Sequence, residues 1–399
     1  MPRLSALETD TIPADATAFY FPKPNRGHMP PAAPEELPRP ESFRSVFQVY
    51  EVDRAAEGVR YYGDPLVDRQ TLIETVWPQF RRAGYEVRLD RRLGEYVLVA
   101  EPRTADDDGI PWTNVGLALA TVLSTLLVGT QWYYVEDLLS IELLRALPFT
   151  LAVMGVLGTH ELGHYLASRY YGVPASLPYF IPFPSIIGTM GAVIQVKGRI
   201  PDRRALFDIG VAGPLAGLVA TGVVTVIGLA LPPVQVPQWV MAAESTVEVQ
   251  FNYPLLLKGI AAVMGEPLSY ADPAMVVNPV VIGGWVGMFI TFLNLIPVGQ
   301  LDGGHVLRAM VGPAQERLAP LVPLALFGLA AWLYLVADAG QMVSVWVLWG
   351  VLAMIVAWIG SADPISEAPL DRRRQLLGLF TFLLGALCFT PIPIEITGL

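Results

Sequence analysis

The stretch "LAVMGVLGTHELGHYLASRYYG", residues 151–172, decides the fold. It opens as an apolar run of membrane type and then places His160, Glu161 and His164 within five residues. A charged side chain at the centre of a membrane helix costs about 2.5–3.5 kcal/mol on insertion scales, so three ionisable groups here need partners. Residues four apart on a helix share a face, with about 6 Å between Cβ atoms. His160 and His164 can therefore reach one Zn²⁺ at about 2.0–2.1 Å per nitrogen. Glu161 lies about 100° round the helix. It cannot easily share the ion, but it can reach a water beside it. Two ligands and one general base is the logic of HExxH.

The rest of the chain supplies the setting. Of 399 residues, 53% are hydrophobic and 16% charged, and the mean hydropathy is +0.47. That excludes disorder and points to a polytopic α-helical membrane protein. Apolar runs of about 20 residues fall near 112–134, 145–170, 206–231, 277–297, 318–337, 342–360 and 375–392. We therefore expect about seven spans. The stretch 254–265 is too short for a confident span and reads as re-entrant or interfacial.

Polarity is concentrated at the start. Residues 1–108 carry 19 Asp/Glu and 14 Lys/Arg, more than half of all charges. Residues 1–42, rich in Pro and acidic groups, read as an extended arm. They contain no apolar h-region, so no cleavable signal peptide is expected. Residues 43–108 read as a small soluble α+β domain. Strand composition recurs in "SVFQVYEV", "VRYYG", "YEVRLD" and "EYVLVAEP". Between them "DRQTLIETVWPQFRRAG" has helical spacing, with Asp68 as cap, Gly84 as stop and Pro78 expected to kink or restart it. Residues 109–399 form the membrane domain.

Charge also orients the chain. With the N-terminus cytoplasmic, the loops 168–205, 298–317 and 361–374 are cytoplasmic too, and they hold the arginine-rich clusters. The net charge is −10, with 23 Arg and only 3 Lys. Such usage resembles salt-loving archaeal proteins, which suggests an archaeal plasma membrane. A GC-rich genome with an acidic domain gives the same pattern. No basic stripe exists, which argues against a nucleic-acid partner. The one cysteine, Cys388, allows no intrachain disulfide.

A catalytic zinc needs a third protein ligand and an open position for water. His28 lies in the Pro-rich arm and reads as solvated. The stretch "FLNLIPVGQLDGGHVLRAM", 292–310, breaks a helix at Pro297 and presents Asp302 before Gly303 and Gly304. Alone, such an aspartate is a turn or cap residue. Beside the histidine pair the ligand reading is preferred, with His305 as competitor or as a support at the cytoplasmic rim. In the expected topology His160 lies about 21 Å along its helix. In a core about 30 Å thick that is about 9 Å from the cytoplasmic surface. Asp302, at the cytoplasmic end of another span, converges on the same side.

These residues resemble the site-2 protease family of intramembrane zinc metalloproteases. The likeness rests on "HELGH" (160–164), "NLIPVGQLDGGH" (294–305) and "ALFDIGVAGPLAGL" (205–218), within a core of about 145–310. The N-terminal α+β domain and the phrase at 188–217 look most like the chloroplast, cyanobacterial and archaeal branch. The resemblance implies one Zn²⁺ per chain on His160, His164 and Asp302. It makes Glu161 the catalytic base, places Asn294 near the substrate carbonyl, and has Pro297 make the helix break. Where many relatives carry Arg after the Gly-Gly pair, this chain has His305.

The implied activity is hydrolysis of peptide bonds in transmembrane-helix substrates near the cytoplasmic face. The partners are then a transmembrane protein and the lipid bilayer, and an oligomer is admitted. A substrate helix must unwind before attack, because its carbonyls are held in i to i+4 bonds. The loop 176–200 suits that task. "GAVIQVKGRI" reads as a strand whose edge pairs with unwound substrate, or else as part of a plain connecting hairpin. "FPSIIG" reads as an alternative membrane gate. "AGPLAGL" (212–218) reads as a small-residue packing face. The rival functions are a metal transporter, which lacks support because no inverted repeat is found, and a non-proteolytic membrane scaffold.

Overall fold

The computed structural model describes residues 37–55, 58–92, 94–102, 110–242, 248–337, 340 and 343–397. Most of the expected arm, including His28, lies outside these residues.

The first unit is a four-stranded antiparallel sheet. Its strands are β1 Phe47–Ala55, β2 Gly58–Pro65, β3 Tyr85–Arg92 and β4 Glu95–Pro102, in the order β1-β2-β4-β3. Alternation along β2 turns Val59 and Tyr61 to one face. Helix α1, Arg69–Arg82, lays Leu72, Ile73, Val76, Trp77 and Phe80 on that face as one stripe. Asp68 caps it, accepting from the Thr71 N–H at 3.0 Å.

The restart at Pro78 does not occur, and α1 runs on through it. Proline removes one bond, to the carbonyl four residues back. That residue is Glu74, which is exposed to solvent, while the apolar stripe holds both halves on the sheet. Phe80 is fully buried between Phe43 and Tyr61. Phe80→Ala is expected to remove about 3–5 kcal/mol from this core, seen as a lower denaturation midpoint of the unit by pulse proteolysis in detergent.

The remainder is predominantly helical. Among the described residues, three helices are long and apolar enough to cross a membrane. They are α2 Trp112–Trp132, α3 Leu147–Tyr170 with its preceding 3₁₀ turn, and α4 Arg203–Ala230. The shorter helices of ten residues or more are α5 Leu255–Met264, α6 Pro279–Asn294, α7 Asp302–Val311, α8 Leu321–Leu335, α9 Val343–Ile359 and α10 Arg372–Leu387. A fourth span results if the bent pair Asp302–Leu318 and Leu321–Leu335, at 66°, is counted as one. The sequence runs near 277–297, 318–337 and 342–360 thus hold helices shorter than the apolar stretch. Proline marks some of these limits, with Pro279 opening α6 and Pro320 preceding α8. Helix α6 is buried almost all round from Pro279 to Met288. That is the signature of a central core helix, which need not match the bilayer's thickness.

Two strands follow α3: β5 Tyr179–Pro182 and β6 Thr189–Val193, paired antiparallel. The strand expected over 191–200 is shorter and starts earlier. It ends at Val193, and the backbone of the next residue, Ile194, lies beside the Glu161 carboxylate. The "FPSIIG" segment docks on α2. Trp132 donates its Nε1–H to the Ile186 carbonyl at 3.1 Å, and Gly188, at φ +86°, leaves no room for a Cβ above Thr125.

Candidate metal centre

Helix α3 carries His160, Glu161 and His164, all buried. They face α4, and the two backbones are in direct approach: a Cβ on Gly163 would lie 2.5 Å from the Ala212 carbonyl oxygen. Gly158, on the same helix, meets Phe180 only at ordinary contact distance.

The third donor arrives on a separate element. Helix α6 ends at Asn294, ahead of Pro297, because a residue preceding proline disfavours the helical conformation. The chain reverses and restarts as α7 at Asp302. Gly303 and Gly304 pack on the carbonyls of Leu295 and Gly299, where any Cβ would sit 2.2 Å from oxygen. The reversal is thereby pressed against the first turn of α7, and Asp302 is fixed beside α3.

His160, His164 and Asp302 form the metal-capable group among the described residues. His160 Nε2 and His164 Nε2 are each 3.2 Å from Asp302 Oδ2 and 3.3 Å from one another. Ligand atoms at zinc distances in tetrahedral array are separated by about 3.3 Å. The triangle therefore has the dimensions of three corners of a zinc tetrahedron, and its donors, two imidazoles and a carboxylate, are of the type zinc takes. His164 donates its Nδ1–H to the Ile209 carbonyl at 2.8 Å. That bond fixes the tautomer and leaves the Nε2 lone pair facing the centre. Glu161 Oε1 is 4.0 Å from His160 Nε2, beside the triangle and outside it. Asn294 Nδ2 lies 3.2 Å from the same His160 nitrogen.

Residues 148–331, which hold this triangle, match the model of peptidase family M50. Among curated proteins, the chain is 31% identical over 314 residues to "Probable zinc metalloprotease EGY2, chloroplastic" of Arabidopsis thaliana, covering 76% of this chain and 53% of that protein. It is 39% identical over 171 residues to "Probable zinc metalloprotease EGY1, chloroplastic" of the same plant, covering 42% of this chain and 30% of that one. The chain thus spans about half the length of the first of these relatives. The Site-2 Protease from Methanocaldococcus jannaschii aligns over 63% of this chain and 92% of its own, with 18% identity and a TM-score of 0.30. A likeness that distant bears on neither the fold nor the chemistry.

Within the M50 segment, His305 stands outside the donor triangle. The residue is half-buried, and among the described residues its buried Nδ1 has no hydrogen-bond partner. Sequence reading also missed what the glycines at 213 and 217 do. A Cβ on Gly213 would lie 2.0 Å from His164 Nε2, and one on Gly217 3.0 Å from His160 Nδ1. The small-residue stripe of α4 gives the two imidazoles their space as well as allowing helix packing. Its signal was legible in "AGPLAGL", but the partner that needed the space was not.

Proposed function

We propose that the chain is an intramembrane zinc metalloprotease that hydrolyses peptide bonds of transmembrane-helix substrates near the cytoplasmic face. One observation carries this: a His-His-Asp triangle of zinc dimensions, its histidines buried and Asp302 half-buried, with a carboxylate, Glu161, beside it. The M50 match supports it, and so do the plant relatives, which are named as probable zinc metalloproteases. His160, His164 and Asp302 would hold one zinc. When bound, the ion supplies Lewis-acid polarisation of the substrate carbonyl and acidifies water.

The chain's own residues do the rest. Glu161 takes the proton of the attacking water and returns it to the leaving amide nitrogen. Asn294, with its amide N–H beside His160, is placed to donate to the oxygen that gains charge. Among the described residues β6 pairs with β5 alone, and Ile194, the residue after β6, lies beside Glu161. An unwound substrate strand adding to the edge of β6 brings its backbone to the base.

The same reading places the protein in a membrane as a multi-pass chain. Seven spans with a cytoplasmic N-terminus follow from the apolar runs and the arginine distribution. The division into an arm at 1–42, a soluble unit at 43–108 and a membrane domain at 109–399 follows from composition. The Lys-poor, acidic usage supports an archaeal plasma membrane, whereas the EGY relatives are plant chloroplastic.

The test uses the full chain in detergent and a single-span substrate weakened by Gly or Pro. We expect about one zinc per chain, cleavage that stops on chelation, and recovery when zinc is returned. A folded chain that holds no zinc, or one whose cleavage survives complete chelation, refutes the proposal.

A further inference from the structure

The metal donors come from two helices, α3 and α7, and the N-terminal unit grips both. Its first grip is Arg81 of α1. The guanidinium lies over the Trp77 ring at 4.6 Å and donates through Nη2 to the carbonyls of Tyr171 and Gly172, at 2.9 and 2.8 Å. Those carbonyls close the C-terminal end of α3, where a cation is favoured by the helix dipole. Glu161 lies ten residues back, about 15 Å along the same rod.

The second grip is a strap, residues 361–371, between α9 and α10. Ile365 of this strap is buried in the core of the N-terminal unit with Leu72, Ile73 and Phe80, and its carbonyl accepts from Gln70 Nε2 of α1. Asp363 and Glu367 straddle Ile365, and both bind Arg308 of α7. Arg308 Nη2 is 3.0 Å from Asp363 Oδ1, and Nη1 is 3.1 Å from Glu367 Oε2. Arg308 is buried, six residues after Asp302. Arg203, at the start of α4, completes the fixation. It donates to the carbonyls of Ala309 and Met310 at 2.8 Å each, closing the far end of α7.

We infer that α1 of the N-terminal unit is a positioning brace for the metal centre: through Arg81 and through the Ile365 strap it holds α3 and α7 at the separation that brings His160, His164 and Asp302 together. Arg81, Ile365 and Arg308 are positioning residues in this arrangement. Each is remote from the donors and acts through the helix it holds. A partner that displaced the unit would loosen the donor triangle. The inference rests on the zinc reading of the triangle.

The experiment measures zinc affinity, by chelator competition, in the full-length chain in detergent. Wild type is compared with Arg81→Ala, Arg81→Lys, Ile365→Ala and the Arg81→Ala/Ile365→Ala double variant. Leu326→Ala, a buried core change in α8 away from the strap, serves as the control for general destabilisation. We expect each alanine variant at the brace to weaken zinc binding about tenfold, within the range seen when groups supporting a ligand are removed. Arg81→Lys is expected to recover part of the loss. The double variant should be little weaker than the worse single, because two ends of one brace do not add. The brace is refuted if wild type binds zinc and the Arg81 and Ile365 variants bind it equally well, or if Leu326→Ala weakens binding as much as they do. Wild type without zinc refutes the metal centre itself, and is read before any variant is compared.

Discussion

Glu161→Gln is expected to abolish cleavage while leaving one zinc on the chain. The amide keeps the shape and hydrogen-bonding reach of the carboxylate but cannot take a proton from water. General-base contributions of this kind are worth about 10²–10⁴ in rate, so cleavage should fall by that factor or below detection. Zinc should stay, because Glu161 is outside the donor triangle, 4.0 Å from His160 Nε2, whereas the donors sit at 3.2–3.3 Å from one another. Replacing Asp302 with Ala is the necessary contrast. It removes a corner of the triangle and should lose zinc and cleavage together. The two variants thus separate base from ligand. The paired measurement is zinc per chain by atomic emission and the initial rate on the single-span substrate. Should Glu161→Gln lose the metal as well, Glu161 would be a ligand or a scaffold for one, and the division of labour between base and donors would be wrong.

What could be read from sequence tracks how local the physics is. The pair His160 and His164 was legible because a helix fixes i and i+4 on one face whatever surrounds it. Asp302 was legible because Pro297 and the Gly-Gly pair announce a broken helix, and a charged residue at a break near an apolar span invites a partner. The strands of the first unit were legible from composition, and its helix from an apolar stripe. The failures are non-local. Pro78 lies inside a continuous helix because the sheet beneath holds both sides, a fact that no window of sequence contains. Several helices after the first unit are shorter than the apolar runs that hold them, because hydropathy registers a fully buried core helix such as α6 as strongly as a lipid-facing one. The strap at 361–371 has no periodicity at all. Its meaning lies in Ile365 entering a core whose other members are nearly 300 residues away, and in two carboxylates finding Arg308. Asn294 was placed near the site only through resemblance, and its contact with His160 was not read, since nothing in the residues around Asn294 points to a histidine 134 positions earlier.

The second large effect is expected from a single methyl group. At Gly213 an added Cβ would stand 2.0 Å from His164 Nε2 and 2.2 Å from its Cδ2, where about 3.5–4.0 Å is the favourable separation of carbon atoms. Gly213→Ala must therefore push the imidazole aside or drive α4 off α3. The second route is resisted, because Gly163 already brings α3 against the Ala212 carbonyl and the two helices share a long interface. The first route breaks the Nδ1–H bond to Ile209 or moves Nε2 from the triangle. By either route the 3.2–3.3 Å spacing is lost, and zinc affinity should fall by at least about 100-fold, the upper range for lost ligand support. Cleavage should follow it. Gly217→Ala places its Cβ 3.0 Å from His160 Nδ1 and 3.1 Å from His160 Cβ, so a shift of a few tenths of an ångström relieves it and the loss should be smaller. Gly222→Ala, on the same helix with nothing within 4 Å of its Cβ, should leave zinc and activity unchanged and gain slightly in helix propensity. The ordering Gly213, then Gly217, then Gly222 is the prediction, read by chelator competition on folded protein. Full zinc affinity in Gly213→Ala would mean that α4 does not lie against His164 as described. The stripe at 212–218 would then be a packing surface alone.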